Sequence, residues 1–171
     1  MKKTFLSLIV ILFFFGCSNE KIQFTEEKCP KVMISKEHKN YIYSDESEIN
    51  LNNISLKSEI NNFSFDKPCL KIEDSLKGTI SILFVIKNNI SNLKKIKLPF
   101  YIANVNLEDK LIDIQYYSTK DIIFNEKSKK DELEIVEKIN LSIKDQNAED
   151  RNENYLIIGF MLSEEKLEVL N

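Results

Sequence analysis

The sequence has few of the residues that build catalytic and metal sites. Its 171 residues include one histidine, His38, which excludes a zinc site with more than one histidine ligand. It contains no Gly-x-Ser-x-Gly elbow, no glycine-rich phosphate loop and no His-Glu-x-x-His motif. We therefore predict no catalytic residue, no metal ion and no cofactor. His38 lies in a polar segment, and we expect it to be a solvated side chain.

The chain also has no apolar run long enough to cross a membrane as a helix. The longest covers residues 5–15, and eleven residues at about 1.5 Å each fall short of a hydrocarbon core of about 30 Å. It follows Lys2 and Lys3 and ends at Gly16, which is typical of a secretory signal with a small residue at the cleavage site. We predict a signal peptide over residues 1–16; the alternative is an uncleaved anchor or a buried helix.

Cys17 follows that run directly, as in a bacterial lipoprotein signal, where the cysteine becomes the first residue and carries a diacylglyceryl thioether. Phe14 and Phe15 depart from the leucine and small residue usual at these positions. Two or more acyl chains hold a protein firmly, at about 0.8 kcal/mol per buried methylene. We predict lipidation of Cys17 and attachment to the membrane through its acyl chains. Ser18, in place of an aspartate that retains lipoproteins in the inner membrane, favours the outer membrane, facing the periplasm.

The mature chain is acidic. Removal of residues 1–16 takes away two lysines and no acids, leaving 22 basic and 27 acidic residues and a formal charge of −5. A stretch of lysines at 94–97 beside Phe100 and Tyr101 has a composition that binds single-stranded nucleic acid or anionic lipid. Lysines also protect sheet edges, and the net charge favours that interpretation. We predict no nucleic-acid partner.

The remainder divides into a polar stalk over residues 17–28 and one domain over residues 29–171, about the size of an ordinary domain. Cys29 and Cys69 are the two cysteines left in it. In an exported chain such a pair most often forms a disulfide, here closing a loop of about 40 residues. A metal pair or a redox pair is the alternative, but the spacing is not Cys-x-x-Cys and no histidine lies near.

Apolar and polar residues alternate along most of the domain, which predicts strands. We expect strands at residues 32–34, 49–60, 79–86, 96–105, 110–117, 121–124, 131–143 and 155–162. Residues 79–86 are apolar on both faces, which predicts a central, fully buried strand. A phase shift at residues 52–53 predicts a bulge or a corner, and Pro99 marks an edge or a bulge. Over residues 131–143 the period of two favours a strand over a helix, with Glu137 the one exception.

Ser163 can cap a short C-terminal helix, with Glu164 and Glu165 near its positive end. Seven to nine short strands with no long helix indicate an all-β fold, an antiparallel immunoglobulin-like sandwich.

Two surface features leave alternatives open. The acidic residues at 45–48 suit weak calcium binding or a solvated turn, and the missing turn glycine favours the turn. The tyrosines at 41–43 and 116–117 suit either ligand stacking or packing at sheet margins.

Several short blocks occur in a fixed order: residues 29–34 (CPKVMI), Cys69, residues 98–105 (LPFYIANV) and residues 155–165 (YLIIGFMLSEE). In these blocks the chain resembles a family of small alpha-proteobacterial lipoproteins. The resemblance implies a lipid-anchored domain with paired cysteines and carries over no catalytic residue.

We therefore expect a lipid-anchored cell-envelope protein that acts in binding or envelope assembly, with other envelope proteins as partners at a sheet edge or loops. A sandwich with a ligand cavity between its sheets is the second hypothesis, and an enzyme the third.

Overall fold

The computed structural model describes residues 24–89, 93, 95–124, 132–144 and 154–170. The signal peptide predicted at residues 1–16 and the lipid site predicted at Cys17 lie outside the described residues. The strands are β1 (Phe24–Glu27), β2 (Lys31–Ile34), β3 (Asn40–Tyr43), β4 (Leu56–Phe65), β5 (Cys69–Ile72), β6 (Ser75–Asn88), β7 (Lys95–Ile96), β8 (Pro99–Val105), β9 (Leu111–Ser118), β10 (Ile122–Ile123), β11 (Leu133–Lys144) and β12 (Tyr155–Phe160), followed by helix α1 (Glu164–Leu170). The mostly-β fold with a short C-terminal helix is therefore confirmed.

The longest strand, β6, forms the centre of the larger sheet. Strand β11 pairs along one side of it, while β5 and then β4 pair along the other; β1 extends β5 and β3 extends β4. The predicted central strand is confirmed. Its burial on both faces is wrong: Ile80, Ile82, Phe84 and Ile86 are inaccessible, but Leu83 and Val85 are half-buried. Only the first face packs against the rest of the core.

The smaller sheet has the order β2-β12-β8-β9, and β7 pairs with β10 separately. Strands β2 and β12 run parallel, which corrects the expectation of purely antiparallel pairing. Pro99 is the first residue of β8, an internal strand between β12 and β9, so its assignment to an edge is wrong. A proline is tolerated at the first position of a strand, where its missing N–H breaks no ladder.

The sequence pattern missed several elements because short strands carry little periodic signal. The described residues contain twelve strands, more than the seven to nine predicted. The strand predicted from residue 49 begins only at Leu56, because Asn50 and Asn53 hold residues 48–53 in a turn. Asn53 Nδ2 donates to the Glu48 carbonyl at 2.7 Å, and Asn53 Oδ1 accepts from the Asn50 amide at 2.9 Å. Of the bulge and the corner predicted at residues 52–53, the structure has the corner, as this turn, and the bulge of β4 lies at Ile60/Asn62.

One buried cluster draws side chains from both sheets. The Phe84 ring of β6 lies 5.2 Å from the Phe100 ring of β8 and 5.7 Å from the Phe160 ring of β12, centroid to centroid. All three side chains are inaccessible to solvent. Contacts of this kind between rings add to the apolar area that they bury.

The strand predicted over residues 131–143 is confirmed as β11. Glu137, the one residue that breaks its apolar alternation, has a structural role. Glu137 faces the core side of the sheet opposite Ile82 and is only 8% exposed. Its Oε1 accepts a hydrogen bond of 2.7 Å from the backbone amide of Lys120. Glu137 thus ties the segment after β9 to the edge of the larger sheet.

The disulfide between Cys29 and Cys69 is confirmed, with Cα atoms 5.0 Å apart. Cys69 is buried, and Gly78 of β6 makes room for it, since a Cβ at position 78 would lie 2.7 Å from the Cys69 sulfur. The stalk predicted over residues 17–28 is too long, because Phe24–Glu27 already forms β1 and pairs with β5. The folded domain therefore begins at least five residues earlier than expected.

The predicted cap of the C-terminal helix is confirmed. The Ser163 Oγ accepts from the Lys166 amide at 3.4 Å, and the Ser163 carbonyl accepts from the Leu167 amide at 3.1 Å. Within the described ranges, no helix is long and apolar enough to cross a membrane.

Candidate functional site

The face of the smaller sheet that points away from the core is apolar. In β8, Phe100 and Ile102 enter the core, so Tyr101, Ala103 and Val105 point to the opposite face. Their cross-strand partners share that face, Ile157 on one side of Ala103 and Ile114 on the other. Antiparallel sheets with one solvated face normally carry polar residues there. Here the centre of the face is apolar and covered, with Ala103 and Val105 5% exposed, while Tyr116 and Leu111 are exposed at its margin. An apolar face of this kind indicates a contact or binding surface.

This face carries an open groove of about 430 Å³, here called the outer groove. Its walls are almost entirely hydrocarbon and aromatic. They are formed by His38, Tyr101, Ala103, Val105, Leu111, Ile114, Tyr116, Ile157, Phe160, Met161 and Leu162.

His38 stands at one end of the outer groove and is half-buried, so the expectation of a solvated side chain is wrong. Its backbone carbonyl accepts from the Phe160 amide at 2.7 Å, and its Nδ1 lies 3.1 Å from the Phe160 carbonyl oxygen. A carbonyl only accepts, so the tautomer that makes this bond carries its proton on Nδ1. The segment after β2 thus continues along β12 and carries His38 into the sheet surface.

Tyr101 and Gly159 shape the same end of the groove. The His38 and Tyr101 rings meet edge to face, with centroids 5.7 Å apart. A Cβ on Gly159 would lie 2.6 Å from the Tyr101 hydroxyl oxygen and 2.8 Å from His38 Cβ, so only glycine admits both side chains. Burial raises the pKa of the Tyr101 phenol above its usual range, as does Glu37 to a smaller extent, against an opposing hydrogen bond with Ser35. The phenol therefore stays neutral at physiological pH.

The rim of the outer groove is exposed. Tyr116 is 62% exposed, and Leu111 and Met161 also stand in solvent. Met33, which pairs with Ile157, is exposed on the adjacent strand. Contiguous exposed apolar patches on soluble domains mark sites of protein, membrane or ligand contact. Aromatic residues and methionine are also enriched at protein interfaces.

The structure separates the tyrosines that the sequence left undecided. Tyr116 is on the outer groove, whereas Tyr117 stacks on Phe100 inside the core at 5.5 Å. Tyr41 packs against Phe160 and is buried, while Tyr43 is half-buried beside the core cluster. Only one of these four side chains is therefore placed for stacking with a ligand.

A second open groove, of about 390 Å³, lies where β3 and β4 meet the end of α1. Its wall includes Lys57, Glu59 and Lys87. Glu59 makes an ion pair with Lys39 at 2.8 Å, and Lys87 makes one with Glu132 at 2.5 Å. This charged lining distinguishes it from the outer groove. Both grooves are open to solvent, in contrast to the enclosed cavity between sheets that the ligand-binding hypothesis called for.

Neither charged cluster in the sequence forms a converging site among the described residues. Glu46 accepts from Asn53 Nδ2 at 2.9 Å, and no group of three or more His, Cys, Asp or Glu side chains in these ranges is placed to hold a metal. Lys95 and Lys97 pair with Asp121, at 2.7 and 3.8 Å. The pairing neutralises part of the basic segment that could have bound nucleic acid or lipid.

Comparison of the sequence with models of known families and with curated proteins, and of the fold with solved structures, finds no match. The outer groove is consequently defined by its own geometry. Sequence reasoning placed Tyr116 among the candidates, but it named Tyr101 only beside the lysine stretch, expected His38 to be solvated and missed Gly159. The contacts of these three residues join positions more than 50 apart, which local patterns do not reveal.

Proposed function

We propose that the protein is a lipid-anchored protein of the bacterial cell envelope that acts by binding another envelope protein. The acyl chains on Cys17 attach it to the membrane, in the outer membrane facing the periplasm, and the outer groove receives the partner. The observation that carries the proposal is the apolar groove on the outer face of the smaller sheet, with Tyr116 and Leu111 exposed on its rim.

Two features support the envelope location. The apolar run at residues 5–15 ends at Gly16 and Cys17, as in lipoprotein signals. The Cys29–Cys69 disulfide fits an oxidising compartment outside the cytoplasm. The resemblance to alpha-proteobacterial lipoproteins stays a prediction, and the proposal rests on these residues.

The proposal includes the architecture that presents the groove. We propose that the two sheets form a sandwich of the immunoglobulin-like kind, with its core at the Phe84, Phe100 and Phe160 contacts. In a sandwich each sheet has one packed and one solvated face. The outer groove then lies on a solvated face and not between the sheets.

The character of the groove favours a protein partner. It is shallow and open, and Tyr116, Met161 and Leu111 stand exposed on its rim. Interfaces combine an apolar, aromatic centre with a more polar surround. Tyr101 and His38 supply polar atoms at one end, which would orient an extended segment of a partner.

In-cell photocrosslinking tests the proposal. A photoreactive phenylalanine analogue at Tyr116 should give a crosslinked adduct of discrete mass, because that side chain faces the partner. The same analogue at Val136, on the exposed side of β11 and 57% exposed, is the matched control and should give none. Leu111→Asp should abolish the Tyr116 adduct, while Val136→Asp should leave it unchanged. Equal adducts at both positions, or an adduct insensitive to Leu111→Asp, contradict the proposal.

A small apolar ligand is the second candidate, because about 430 Å³ falls within the range of small-molecule sites. Native mass spectrometry of the purified protein distinguishes the two. A bound mass of a few hundred daltons that Leu111→Asp removes favours the ligand over the protein partner.

A further inference from the structure

The folded domain begins close to the lipid site. Cys17 and Phe24 are seven residues apart, and Phe24 already belongs to β1. At about 3.3 Å per residue the chain between them spans at most about 23 Å. A stalk running to residue 28 would have reached about 36 Å. If Cys17 is the lipid site, the end of the domain that carries Phe24 therefore lies near the bilayer surface.

Strand register identifies which end that is. Phe24 pairs with Ile72, Ile72 pairs with Ser75, and Ser75 pairs with Lys144. This end of the larger sheet therefore holds the start of β1, the β5–β6 turn and the last residue of β11. We call it the anchor end.

Two hydrogen bonds place the smaller sheet relative to the anchor end. Gln115 Nε2 donates to the Ser142 carbonyl at 3.0 Å, and the Lys120 amide donates to Glu137 at 2.7 Å. The two bonds are five residues apart in both segments, at 115 and 120 in one and at 142 and 137 in the other. The segment that contains β9 therefore runs beside β11 in the opposite direction. From Ser142, β11 continues two residues to Lys144; from Gln115, β9 extends back four residues to Leu111. The β8–β9 turn thus reaches the anchor end.

Hydrogen bonds hold that turn, which presents a leucine. Asn106 Oδ1 accepts from the amides of Glu108 and Lys110 at 3.0 and 2.9 Å, and the Tyr155 hydroxyl donates to the Asp109 carboxylate. Asp109 has a positive φ of 59°, which aspartate tolerates in tight turns. Leu107, between these held residues, is 63% exposed, and Phe24 is 65% exposed.

We propose that the anchor end docks on the lipid surface, with Leu107 and Phe24 entering the leaflet that holds the acyl chains of Cys17. This inference rests on the proposed lipidation. The short tether brings this end to the headgroups, and the two apolar side chains there lose their exposure on contact with lipid. Glu73, Asp74 and Glu108 lie at this end together with Lys110 and Lys144, so the surface around the two apolar side chains carries charges of both signs.

Docking also fixes the orientation of the outer groove. The groove extends along β8 and β12 from Val105, near the anchor end, to Phe160 and Leu162 at the far end. In a docked domain these strands run from the membrane surface outwards. The groove then opens sideways into the periplasm, where a neighbouring envelope protein can reach it.

Fluorescence quenching by lipid tests the docking. The acylated protein carries a single introduced thiol, Leu107→Cys or Phe24→Cys, labelled with an environment-sensitive dye and placed in phosphatidylcholine vesicles that contain brominated lipid. The matched controls are Leu51→Cys and Ile123→Cys, 73% and 65% exposed. Leu51 precedes the end of β4 that pairs with Asn88, and Ile123 follows Lys120, which is held at Glu137, so both lie away from the anchor end. Bromolipid should quench the dyes at positions 107 and 24 several-fold more than those at 51 and 123. Leu107→Asp should reduce quenching at position 24 without changing the thermal stability of the protein.

The outcomes separate docking from anchoring. Protein that floats with the vesicles but shows equal quenching at all four positions overturns the docking and leaves the lipid anchor intact. Protein that does not float, and whose Cys17 lacks acyl chains by mass spectrometry, overturns the anchor and the docking with it.

Discussion

Phe84→Ala is expected to lower the free energy of unfolding by about 3–5 kcal/mol, the range for a fully buried phenylalanine. Phe84 is inaccessible, and its ring contacts Phe100 and Phe160 on two strands of the other sheet. Removal of the ring therefore opens a cavity where the two sheets meet, and the cost includes both lost burial and the unfilled space. Urea denaturation followed by circular dichroism measures it.

Two controls make this prediction specific. Phe84→Leu keeps most of the volume and should cost much less, about 1 kcal/mol. Val136→Ala, on the exposed side of the neighbouring strand, should change stability by less than about 0.5 kcal/mol. A loss below about 1 kcal/mol for Phe84→Ala would contradict a core shared by the two sheets.

Removal of the disulfide should cost about 4 kcal/mol. Cys29 and Cys69 are 40 residues apart, and closing a loop of that length restricts the unfolded chain by this amount in the loop-entropy account. The double variant Cys29→Ala/Cys69→Ala keeps the small apolar volume that lies against Gly78. Urea denaturation of this variant and of the wild type, each with and without dithiothreitol, measures the effect.

The reductant supplies the internal control. It should destabilise the wild type to about the level of the double variant and leave the double variant unchanged. If reduction shifts both proteins equally, or neither, the disulfide does not contribute to the stability of the fold. A large effect would also indicate that the protein is stable only where disulfides persist, as outside the cytoplasm.

Local pattern was enough for the longer strands and for some of the short ones, such as β2 and β10. Strand β11 alternates over twelve residues, which distinguishes it from a helix, and the Cys29–Cys69 pair follows from an even count in an exported chain. Strands β1, β3 and β5 have four residues each and were missed. Four residues allow few alternations, so a strand of that length is recognised in some cases, as for β2, and missed in others.

The outer groove could not be predicted because alternation does not say which face is packed. Tyr116 and Tyr117 are adjacent, so they point to opposite faces, and only the fold decides which one meets Phe100. His38 lies in a polar segment whose partner, Phe160, is 122 residues away. Glu137, by contrast, stood out in the sequence because it interrupts the apolar positions of β11. The structure explains it by its hydrogen bond with the Lys120 amide.

The features of the molecule combine into one arrangement. A lipid-bearing Cys17 would hold the anchor end at the membrane through a tether of at most about 23 Å, and the disulfide fixes β1, which follows the tether, to β5. In the proposed arrangement the outer groove would then face neighbouring envelope proteins at a defined height above the bilayer. The access of a partner to the groove thus depends on the orientation of the domain, and that orientation depends on the lipid anchor.

The mass of the N-terminal peptide of the protein, purified from bacterial membranes, tests that anchor most directly. Our account predicts a chain that begins at Cys17 and carries a diacylglyceryl group, and a Cys17→Ser variant that loses both this mass and its membrane association. An intact N-terminus at Met1, or a mature Cys17 without acyl chains, would contradict it.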